Sequence, residues 1–565
     1  MIKKRLKLLK ESFKKFEIDG YVIPKNDEFF SEYSSKDRLK IISNFDGSAG
    51  FAVILKDKNY LFVDGRYSLQ AKIQSSKNFK IVPYTDINNC NLFKNKVLGI
   101  DPKVFTSHQV NTFFLKNNKV KKISTNLIDK IDKKFSQSLK PFYTLQDKVV
   151  GENYKKKLKK VVLFIKKNRA DYLFVSAPEN VAWLLNIRGW DNPNSPIPNC
   201  HLLIDNLSNI FLISKKSKVK NLLNAKKIKE NQIIDSNNIE NFFKRLNKKK
   251  IIIDIKTCSI FYEDIFNLRL KVIKKEDPIY FLKSIKNKIE IQNMIESHIY
   301  DGVALTKFLY WIKEKNKKKI TEVDAQNKLE KFRKMNKKYL FPSFKTIAGA
   351  GSNGAIIHYR ARKHSTKKIQ KNDIFLCDSG GQYKYGTTDV TRTICFSNPK
   401  PKIKNIFTQV LKGHIAVVSS NLNKSKYGKL IDVDARKYLK KSKLNYEHGT
   451  GHGVGFFSNV HEGPQAISKY NKIKLQEGMI LSNEPGYYKK NQFGIRIENL
   501  IYVKKNKKKL FFENLTLAPI DKDLINYELL SKSERNYLFK YHLLVYSKLK
   551  KYLNNNEKRW LLTLV

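Results

Sequence analysis

Two aspartates in the second half of the chain, Asp378 and Asp389, interrupt segments that are otherwise apolar and strand-like. They lie eleven residues apart on either side of Gly380 and Gly381, so the two segments should pair as antiparallel strands. Such a hairpin can bring both carboxylates to the same end. Like charges held close together are unfavourable unless a cation neutralises them. Alone, the pair would be interpreted as two exposed hairpin residues; with further ligands, it predicts a metal site.

Three histidines, His448, His452 and His461, follow within fourteen residues of a glycine-rich segment. His448 and His452 have i, i+4 spacing, but four glycines between residues 449 and 455 make a zinc-binding helix unfavourable. The glycines instead allow the backbone to approach a ligand or a metal closely. A single buried histidine is more often structural than catalytic, whereas packing does not readily explain three histidines among glycines. The segment therefore predicts contacts with a metal or a substrate.

Two glutamates complete the set of candidate ligands. Glu498 lies fourteen residues after Glu484, across another expected hairpin, in the apolar strand 495–503 where an unpaired carboxylate would be costly. Four carboxylates and one imidazole suit two hard or borderline divalent cations, such as Mn²⁺, better than one closed zinc site. Two cations about 3.5–4 Å apart can generate hydroxide from water and bind both oxygens of a tetrahedral intermediate. This chemistry is hydrolysis.

Strand-like and helix-like segments alternate along the chain and must position these residues, which indicates α/β and α+β domains. The segments before residue 278 suggest two similar α/β units in tandem. The expected elements are strands at residues 21–24, 51–55, 60–63, 171–175 and 182–185, and a helix at residues 152–167.

The pattern changes near Asp277 and Pro278. Apolar residues recur at helical spacing over residues 285–315, which predicts an amphipathic helix. From Pro342 to about Val503 we expect glycine-punctuated β-hairpins, and the last sixty residues are expected to be helical.

One segment of the hairpin region, residues 349–354, matches the G-x-G-x-x-G pattern of dinucleotide-binding proteins. That function requires a helix to begin at the pattern. Residues 355–359 are predicted to form another strand, so we do not expect a dinucleotide site.

The charge of the chain is strongly positive: Lys and Arg total 111 against 51 Asp and Glu, a formal net charge of +60. Clustered cations would favour nucleic-acid binding. Here the lysines extend from Lys3 to Lys558 together with abundant Asn and Ile, and no RNA- or DNA-binding motif accompanies them. We therefore predict no specific nucleic-acid partner, only weak and salt-sensitive association with polyanions.

The cysteines and the apolar segments bear on the compartment. No C-x-x-C pair is present, which favours a reducing environment, and Cys377 and Cys395 are expected in the core. Residues 1–16 lack the apolar core of a secretory signal, and no apolar run approaches the roughly 20 residues that span a bilayer. We therefore expect a cytoplasmic protein without a membrane partner. The five cysteines are Cys90, Cys200, Cys258, Cys377 and Cys395.

Taken as a set, these motifs resemble the pita-bread metallopeptidases, specifically the long, three-domain aminopeptidase P (Xaa-Pro aminopeptidase) type. The resemblance covers almost the whole chain. Besides the metal motifs, it includes residues 45–50, 64–67, 180–185, 354–359 and 517–520. It implies creatinase-like α/β domains at residues 1–145 and 146–284, a pita-bread dinuclear metal domain at 285–505 and a C-terminal helical extension at 506–565.

The resemblance also implies roles for individual residues. Asp389 and Glu498 would be bridging or bidentate ligands, Glu484 would accept the proton of the metal-bound water, and His461 would steady the tetrahedral intermediate. The implied metal ligands are Asp378, Asp389, His452, Glu484 and Glu498. The implied catalytic residues are His358, His448, His461 and Glu484. The implied substrate-binding residues are Arg66, supplied by the N-terminal domain, and His358, His448, His461, Tyr488 and Arg496.

The implied function is that of a homodimeric aminopeptidase that removes an N-terminal residue preceding proline, using a hydroxide that bridges two divalent ions, with Mn²⁺ favoured. Nothing in the spacing of the ligands demands proline; that specificity rests on the resemblance. Two alternatives stay open. One is a prolidase confined to Xaa-Pro dipeptides, and the other is a metal-free binding module of the same fold. The tandem α/β units disfavour the first alternative, and five competent ligand residues disfavour the second.

Overall fold

The computed structural model describes residues 1–87, 92–132, 138–246, 248–314 and 319–565, so Cys90 and Lys315 lie outside the described residues. The chain divides into two compact units, Met1–Tyr280 and Phe281–Val565. None of the described helices is long and apolar enough to cross a membrane.

The first unit contains two six-stranded sheets. Its helices and strands, in chain order, are α1 (Ile2–Glu11), β1 (Gly20–Pro24), α2 (Arg38–Ser43), β2 (Phe51–Leu55), β3 (Asn59–Val63), α3 (Ser68–Ser75), β4 (Lys80–Pro83), β5 (Val97–Ile100), α4 (Ser107–Phe113), β6 (Lys119–Lys122), α5 (Leu127–Ile131), β7 (Tyr143–Thr144), α6 (Asp147–Val150), α7 (Tyr154–Lys167), β8 (Tyr172–Val175), α8 (Pro178–Leu185), β9 (Ile187–Arg188), β10 (His201–Asp205), β11 (Ile210–Ile213), α9 (Lys216–Asn224), β12 (Ile233–Ile234), α10 (Ile239–Lys244), β13 (Lys250–Ile253), α11 (Ile260–Asn267), β14 (Lys271–Lys274) and, across the unit boundary, α12 (Pro278–Leu282).

The two sheets have the same topology. Their strand orders are β4-β3-β2-β1-β5-β6 and β12-β11-β10-β8-β13-β14. In the first sheet β1 pairs antiparallel with β2 and parallel with β5; in the second, β8 pairs antiparallel with β10 and parallel with β13. Two similar α/β folds in tandem, predicted from the sequence, are therefore present.

One predicted strand of this unit is wrong. Residues 182–185 belong to helix α8, which begins with Pro178 at its first turn and ends before Asn186 in the left-handed conformation. The helix is buried, so its apolar run has no polar face to reveal helical periodicity, and a short buried helix cannot be told from a strand by that pattern.

The second unit combines small antiparallel sheets with long helices. Its elements are α13 (Lys288–Glu314), α14 (Glu322–Lys334), β15 (Tyr339–Pro342), β16 (Ile347–Ala350), β17 (Ile374–Ser379), β18 (Gly381–Tyr383), β19 (Gly386–Thr387), β20 (Val390–Cys395), α15 (Pro401–Val418), α16 (Gly428–Lys441), β21 (Gly451–His452), β22 (Ala466–Ile467), β23 (Ile480–Asn483), β24 (Gly486–Lys489), β25 (Phe493–Arg496), β26 (Asn499–Asn506), β27 (Lys509–Asn514), α17 (Lys532–Leu549) and α18 (Asn555–Leu562).

Two helices correct the prediction of continuous hairpins from Pro342 to Val503. Helix α15 buries Phe407, Val410 and Leu411 in one hydrophobic core, and α16 buries Ile431 and Ala435 in another. The strands before and after these helices form two three-stranded sheets, β16-β17-β20 and β23-β26-β27. The helices therefore separate the two pairs of strands that carry the candidate carboxylates.

The predicted strand at residues 355–359 is also wrong. Gly351–Ala355 form a short 3₁₀ helix. The chain then turns, with the amide of Ile356 bonded to the carbonyl of Asn353 and that of Tyr359 to the carbonyl of Ile356. The predicted absence of an α-helix at the G-x-G-x-x-G pattern holds, although a turn rather than a strand follows it.

Candidate metal centre

The two aspartates lie at one end of the β17–β20 hairpin. The strands pair antiparallel as predicted, with Asp378 opposite Thr391, and Asp389 directly precedes β20. Asp378 is 7% exposed and Asp389 4% exposed. Neighbouring residues alternate between the two faces of the strand, so Cys377 packs in the apolar core while Asp378 faces the candidate site.

The two glutamates lie at one end of the β23–β26 pair. Asn483 pairs with Asn499, so Glu484 directly follows β23 and Glu498 directly precedes β26. The amide of Glu498 donates to the carbonyl of Thr391 (3.1 Å), on the hairpin that carries the aspartates. The backbone thus links the two carboxylate pairs.

His452 is oriented by its backbone and by one ring nitrogen. Its amide donates to Ser482 Oγ (2.9 Å), and Nδ1 donates to the carbonyl of Gly453 (2.9 Å). Nε2 then faces Asp389 Oδ2 at 3.4 Å and Glu484 Oε1 at 3.6 Å. A histidine whose Nδ1 donates to a carbonyl presents the Nε2 lone pair, which is the arrangement of a metal-ligating imidazole.

The glycines around His452 allow close packing. A Cβ atom on Gly451 would lie 1.9 Å from the carbonyl oxygen of Ser482, and one on Gly453 would lie 2.0 Å from that of Glu462. Any larger residue at either position would displace the segment that carries His452.

The five predicted ligands fall into two groups that share Glu498. In each group the candidate ligand atoms all lie within 4.8 Å of one another. The groups are Asp378, Asp389 and Glu498, and His452, Glu484 and Glu498. A third group of the same kind contains His461 with Asp389 and His452, and the His452 and His461 rings are 4.3 Å apart at 78°.

The charges of this cluster disfavour ionisation of its own carboxyls. The pKa of Asp378 is raised to about 7: burial is the largest cause, Asp389 and Glu484 also raise it, and Arg496 lowers it. Burial also raises the pKa of Glu498 well above its usual value, with Asp389 the largest electrostatic contributor. Oδ1 of Asp378 is buried without a hydrogen-bond partner. Closely spaced, desolvated oxygen donors of this kind fit divalent cations, which would neutralise them.

The pKa of His452 also indicates that the site favours positive charge. Burial alone would lower the pKa of His452, but Asp389 and Glu484 raise it to about 9. The carboxylates therefore favour a positive charge at Nε2, and a cation bound there would supply it.

A chain of hydrogen bonds connects Asp378 to His448. Arg496 donates from Nη2 to Asp378 Oδ2 (2.6 Å) and from Nη1 to the Tyr488 hydroxyl (2.6 Å). Nδ1 of His448 donates to the carbonyl of Gly449, so Nε2 accepts from the Tyr488 hydroxyl at 2.8 Å. Nε of Arg496 also donates to Thr391 Oγ1 (3.0 Å), whose hydroxyl donates to Glu498 (2.8 Å). Arg496 therefore orients ligands of both carboxylate pairs.

Five predicted site residues belong to none of the three ligand groups given above. His448, Tyr488 and Arg496 form the hydrogen-bond chain just described; His358 and Arg66 are the other two. His358 lies in the turn after the 3₁₀ helix, and its neighbour Ile357 accepts a 3.4 Å hydrogen bond from Arg496. Arg66 lies in the first unit, where it donates to both oxygens of Asp64 (3.0 and 2.8 Å).

One buried ion cluster beside the site was not predicted. Glu462, next to His461, contacts Lys283 Nζ at 2.9 Å and Lys286 Nζ at 2.8 Å, and all three side chains are at most 3% exposed. In the sequence, the position of Glu462 directly after His461 could have indicated that this carboxylate lies near the site. No feature of the sequence distinguishes Lys283 and Lys286 from the other basic residues of a chain with 111 Lys and Arg.

Comparison with known proteins places the chain in a family. Residues 292–505 match metallopeptidase family M24, residues 5–132 and 132–290 each match a creatinase/prolidase N-terminal domain, and residues 508–564 match the C-terminal region of peptidase M24. Xaa-Pro aminopeptidase 1 of Dictyostelium discoideum is 36% identical over 99% of this chain and 96% of its own length.

Solved structures agree over different lengths. The X-prolyl aminopeptidase of Caenorhabditis elegans, described as a cytosolic enzyme with a di-nuclear active site, is 28% identical with a TM-score of 0.91 and covers 100% of this chain and 99% of its own. The prolidase of Pyrococcus horikoshii is 27% identical with a TM-score of 0.54, and covers 65% of this chain and 99% of its own. The chain therefore belongs to metallopeptidase family M24, with the creatinase/prolidase N-terminal domains and C-terminal region of its aminopeptidase P-like members.

Proposed function

We propose that this chain is a metal-dependent aminopeptidase that hydrolyses the bond between an N-terminal residue and a following proline. The observation that carries the proposal is the convergence of four carboxylates and one imidazole into two groups that share Glu498. The specificity for proline is supported by the Dictyostelium discoideum and Caenorhabditis elegans relatives, which align with nearly the whole chain. The prolidase alternative is less well supported, because the prolidase structure covers only 65% of the chain.

The residues proposed to hold two divalent cations are Asp378, Asp389, His452, Glu484 and Glu498. Asp389 and Glu498, which each occur in two of the ligand groups, would each help to hold both cations. When bound, the cations would supply Lewis acidity and a nucleophile made from water. We propose Mn²⁺, since oxygen donors dominate the set and only one imidazole nitrogen joins them.

The chain's own residues would handle the protons and the developing charge. Glu484 is the proposed proton acceptor: Ser482 Oγ donates to its Oε1 (3.1 Å) and so fixes the orientation of the carboxylate. His461, whose ring lies against that of His452, is the proposed donor to the negative charge that develops on the scissile carbonyl oxygen.

The remaining predicted residues are proposed to bind the peptide. The Tyr488 hydroxyl and the His448 ring are held in place by Arg496 through the hydrogen-bond chain described above. His358 is proposed to contact the substrate from the turn that follows the 3₁₀ helix. Arg66 is proposed to contact the substrate as well, and its bidentate pair with Asp64 keeps its guanidinium in one orientation.

Metal analysis and a peptide assay on one preparation test the proposal. With Mn²⁺, we expect cleavage of Xaa-Pro-Xaa tripeptides, no cleavage of Xaa-Ala-Xaa controls, and loss of activity in EDTA that Mn²⁺ restores. Asp389→Asn should abolish activity, and the matched surface variant Asp434→Asn, whose side chain is 44% exposed, should retain it. Cleavage confined to Xaa-Pro dipeptides would favour the prolidase alternative, and absence of bound metal together with absence of EDTA-sensitive activity would favour a binding module.

We further propose a homodimer in the cytoplasm. The dimer is implied by the resemblance to aminopeptidase P, and the cytoplasmic location by the cytosolic description of the Caenorhabditis elegans enzyme. Light scattering coupled to size-exclusion chromatography would measure the first, and a mass of one chain would contradict it. Fractionation of the source cells would test the second.

A further inference from the structure

A buried polar network lies behind the hairpin that carries the two aspartates. At its centre Asp301 of α13 pairs with Arg333 of α14: Arg333 donates from Nε to Oδ1 (2.7 Å) and from Nη2 to Oδ2 (3.3 Å). The Tyr383 hydroxyl also donates to Oδ1 (2.9 Å), and the Thr388 hydroxyl to Oδ2 (2.9 Å). Each carboxylate oxygen of Asp301 thus accepts two hydrogen bonds. We call this the Asp301 network; its members are Asp301, Arg333, Ser379, Tyr383 and Thr388.

The network contacts the immediate neighbours of both aspartates. Thr388 directly precedes Asp389, and Ser379 directly follows Asp378. Nη2 of Arg333 donates to Ser379 Oγ (3.0 Å). The Asp301–Arg333 pair therefore contacts both strands of the hairpin, each at the residue next to its aspartate.

Thr388 is fixed by more than Asp301. Its Oγ1 accepts from the amide of Gly381 (2.9 Å), and its carbonyl accepts from Ser343 Oγ (2.8 Å). Thr388 is 1% exposed. Movement of Asp389 relative to Asp378 would therefore break several buried hydrogen bonds together.

Stability alone does not explain a charged pair at this position. The side chains of Asp301 and Arg333 are 3% and 0% exposed. Apolar residues of similar volume often replace a buried ion pair without loss of stability, so such a pair is weak evidence for a stabilising role. Positioning does explain it. Partners hydrogen-bonded to metal ligands orient them, and removing one typically lowers metal affinity about 10–100-fold. The Asp301 network acts one residue further away, on the neighbours of the two aspartates.

We propose that Asp301 and Arg333 are positioning residues that set the distance between Asp378 and Asp389 through Ser379 and Thr388. The inference rests on the proposed function, in that it takes these aspartates as metal ligands. It assigns a role to residues that contact neither the metal nor the substrate.

Paired variants of Thr388 in the full chain test this inference. Thr388→Val keeps the volume and removes the hydroxyl, and Thr388→Ser keeps the hydroxyl. We expect Thr388→Val to lower Mn²⁺ affinity about 10-fold, the lower end of the range for direct partners of metal ligands, as measured by competition with a chelator, and Thr388→Ser to retain most of the affinity. Thermal unfolding of the metal-free proteins shows whether each variant is folded.

Variants of two tyrosines extend the comparison without altering Thr388. Tyr383→Phe removes a donor to Asp301 and should lower Mn²⁺ affinity. Its control is Tyr339→Phe on the paired strand, because the Tyr339 hydroxyl donates to Glu330 (2.7 Å) and not to the Asp301 network. That variant should bind Mn²⁺ like the unaltered protein.

Equal Mn²⁺ affinity in Thr388→Val, Tyr383→Phe and the unaltered protein would overturn the inference. So would a loss of affinity in Tyr339→Phe as large as in Tyr383→Phe, because the effect would then not come from the Asp301 network. Mn²⁺ binding by the unaltered protein without cleavage of Xaa-Pro peptides would instead overturn the proposed function and leave this inference standing.

Discussion

At the scale of single residues, the Arg496 side chain contacts one candidate ligand, Asp378, directly and a second, Glu498, through Thr391. Its planar guanidinium donates to Thr391, Tyr488 and Asp378 from Nε, Nη1 and Nη2, a rigid fork that the compact ammonium of lysine does not reproduce. We therefore expect Arg496→Lys to lower Mn²⁺ affinity about 10–100-fold although the charge is kept. Chelator competition measures the affinity.

Arg535→Lys is the matched control for this variant. Arg535, in the first turn of α17, donates to two backbone carbonyls of the described chain, those of Leu530 and Tyr527. Its replacement should leave Mn²⁺ affinity unchanged. If Arg496→Lys bound Mn²⁺ as tightly as Arg535→Lys does, the guanidinium would not orient the ligands.

Glu462 supports a second prediction, on stability. Burial opposes ionisation of Glu462, but Lys283 and Lys286 hold its pKa below the usual value. Glu462→Gln removes the negative charge that both buried ammonium groups contact, and breaking a buried pair in this way costs about 3–5 kcal/mol. We expect a loss of that size in the free energy of unfolding, measured with denaturant.

The control for this prediction is Glu477→Gln, because Glu477 is exposed, and surface substitutions usually change stability by less than about 0.5 kcal/mol. Adding Lys283→Met to Glu462→Gln should recover part of the loss. If Glu462→Gln lowered the free energy of unfolding by less than about 1 kcal/mol, the prediction that this ion cluster stabilises the fold would be wrong.

The candidate ligands and the Asp301 network differ in how far the sequence predicts them. Asp378, Asp389 and His452 stand in short motifs whose glycines and strand residues make a charged or imidazole side chain conspicuous. Asp301 and Arg333 are 32 residues apart on two helices. In the sequence, neither can be distinguished from other charged helix residues, because their contact forms only in the folded protein. The proposed ligands are therefore apparent from local pattern, while their supports depend on tertiary contacts.

At the scale of elements, strand β10 carries a buried histidine that should make the first unit sensitive to acid. His201 is 5% exposed, its Nδ1 donates to the carbonyl of Ser176 (2.8 Å), and its ring packs against Phe29, Phe174 and Tyr262. Burial lowers the pKa of His201 from 6.5 to about 4. The unfolded chain therefore binds the proton more readily than the folded one.

The sign of the pH effect follows from that difference. The free energy of unfolding should fall as the pH drops from about 6.5 towards 4, by roughly 3 kcal/mol from His201 alone. His201→Phe keeps the aromatic packing and lacks the titration. The difference in unfolding free energy between the two proteins should be constant from pH 7 to 8 and shift in favour of the variant below pH 6.5. A constant difference down to pH 4 would contradict the prediction.

Element prediction succeeded where the pattern was unambiguous. Strand β2 has the predicted bounds, and β1 and β3 each begin one residue earlier than predicted. Short continuous runs of aromatic, branched aliphatic and other apolar residues, bounded by polar turns, explain that success. Helices α15 and α16 were missed because the glycine-rich motifs on both sides suggested that hairpins continue between them. The domain boundaries drawn from the sequence stay predictions.

At the scale of the whole molecule, the lysines behind the charge of +60 are spread along the sequence from Lys3 to Lys558. One exposed basic group is the β26–β27 turn with the strand ends beside it, where Lys505, Lys507 and Lys508 lie among five exposed lysines. A binding site for nucleic acid would concentrate contacts at such a place, whereas a diffuse field would average them over many orientations. A dedicated nucleic-acid site and a diffuse positive field therefore predict different salt dependence of polyanion binding.

Binding of duplex DNA and of heparin, measured by fluorescence anisotropy between 50 and 200 mM salt, separates them. We expect log K to fall linearly with log salt, with no preference among DNA sequences. Replacing the three turn lysines by Gln should change the slope little, because a dedicated patch would lose about 0.9 per phosphate contact, roughly 3 in all. Xaa-Pro peptide cleavage should be unaffected by the replacement. A drop of that full size, or DNA binding that survives high salt, would show that the positive charge serves a specific partner and is not only a property of the solvated surface.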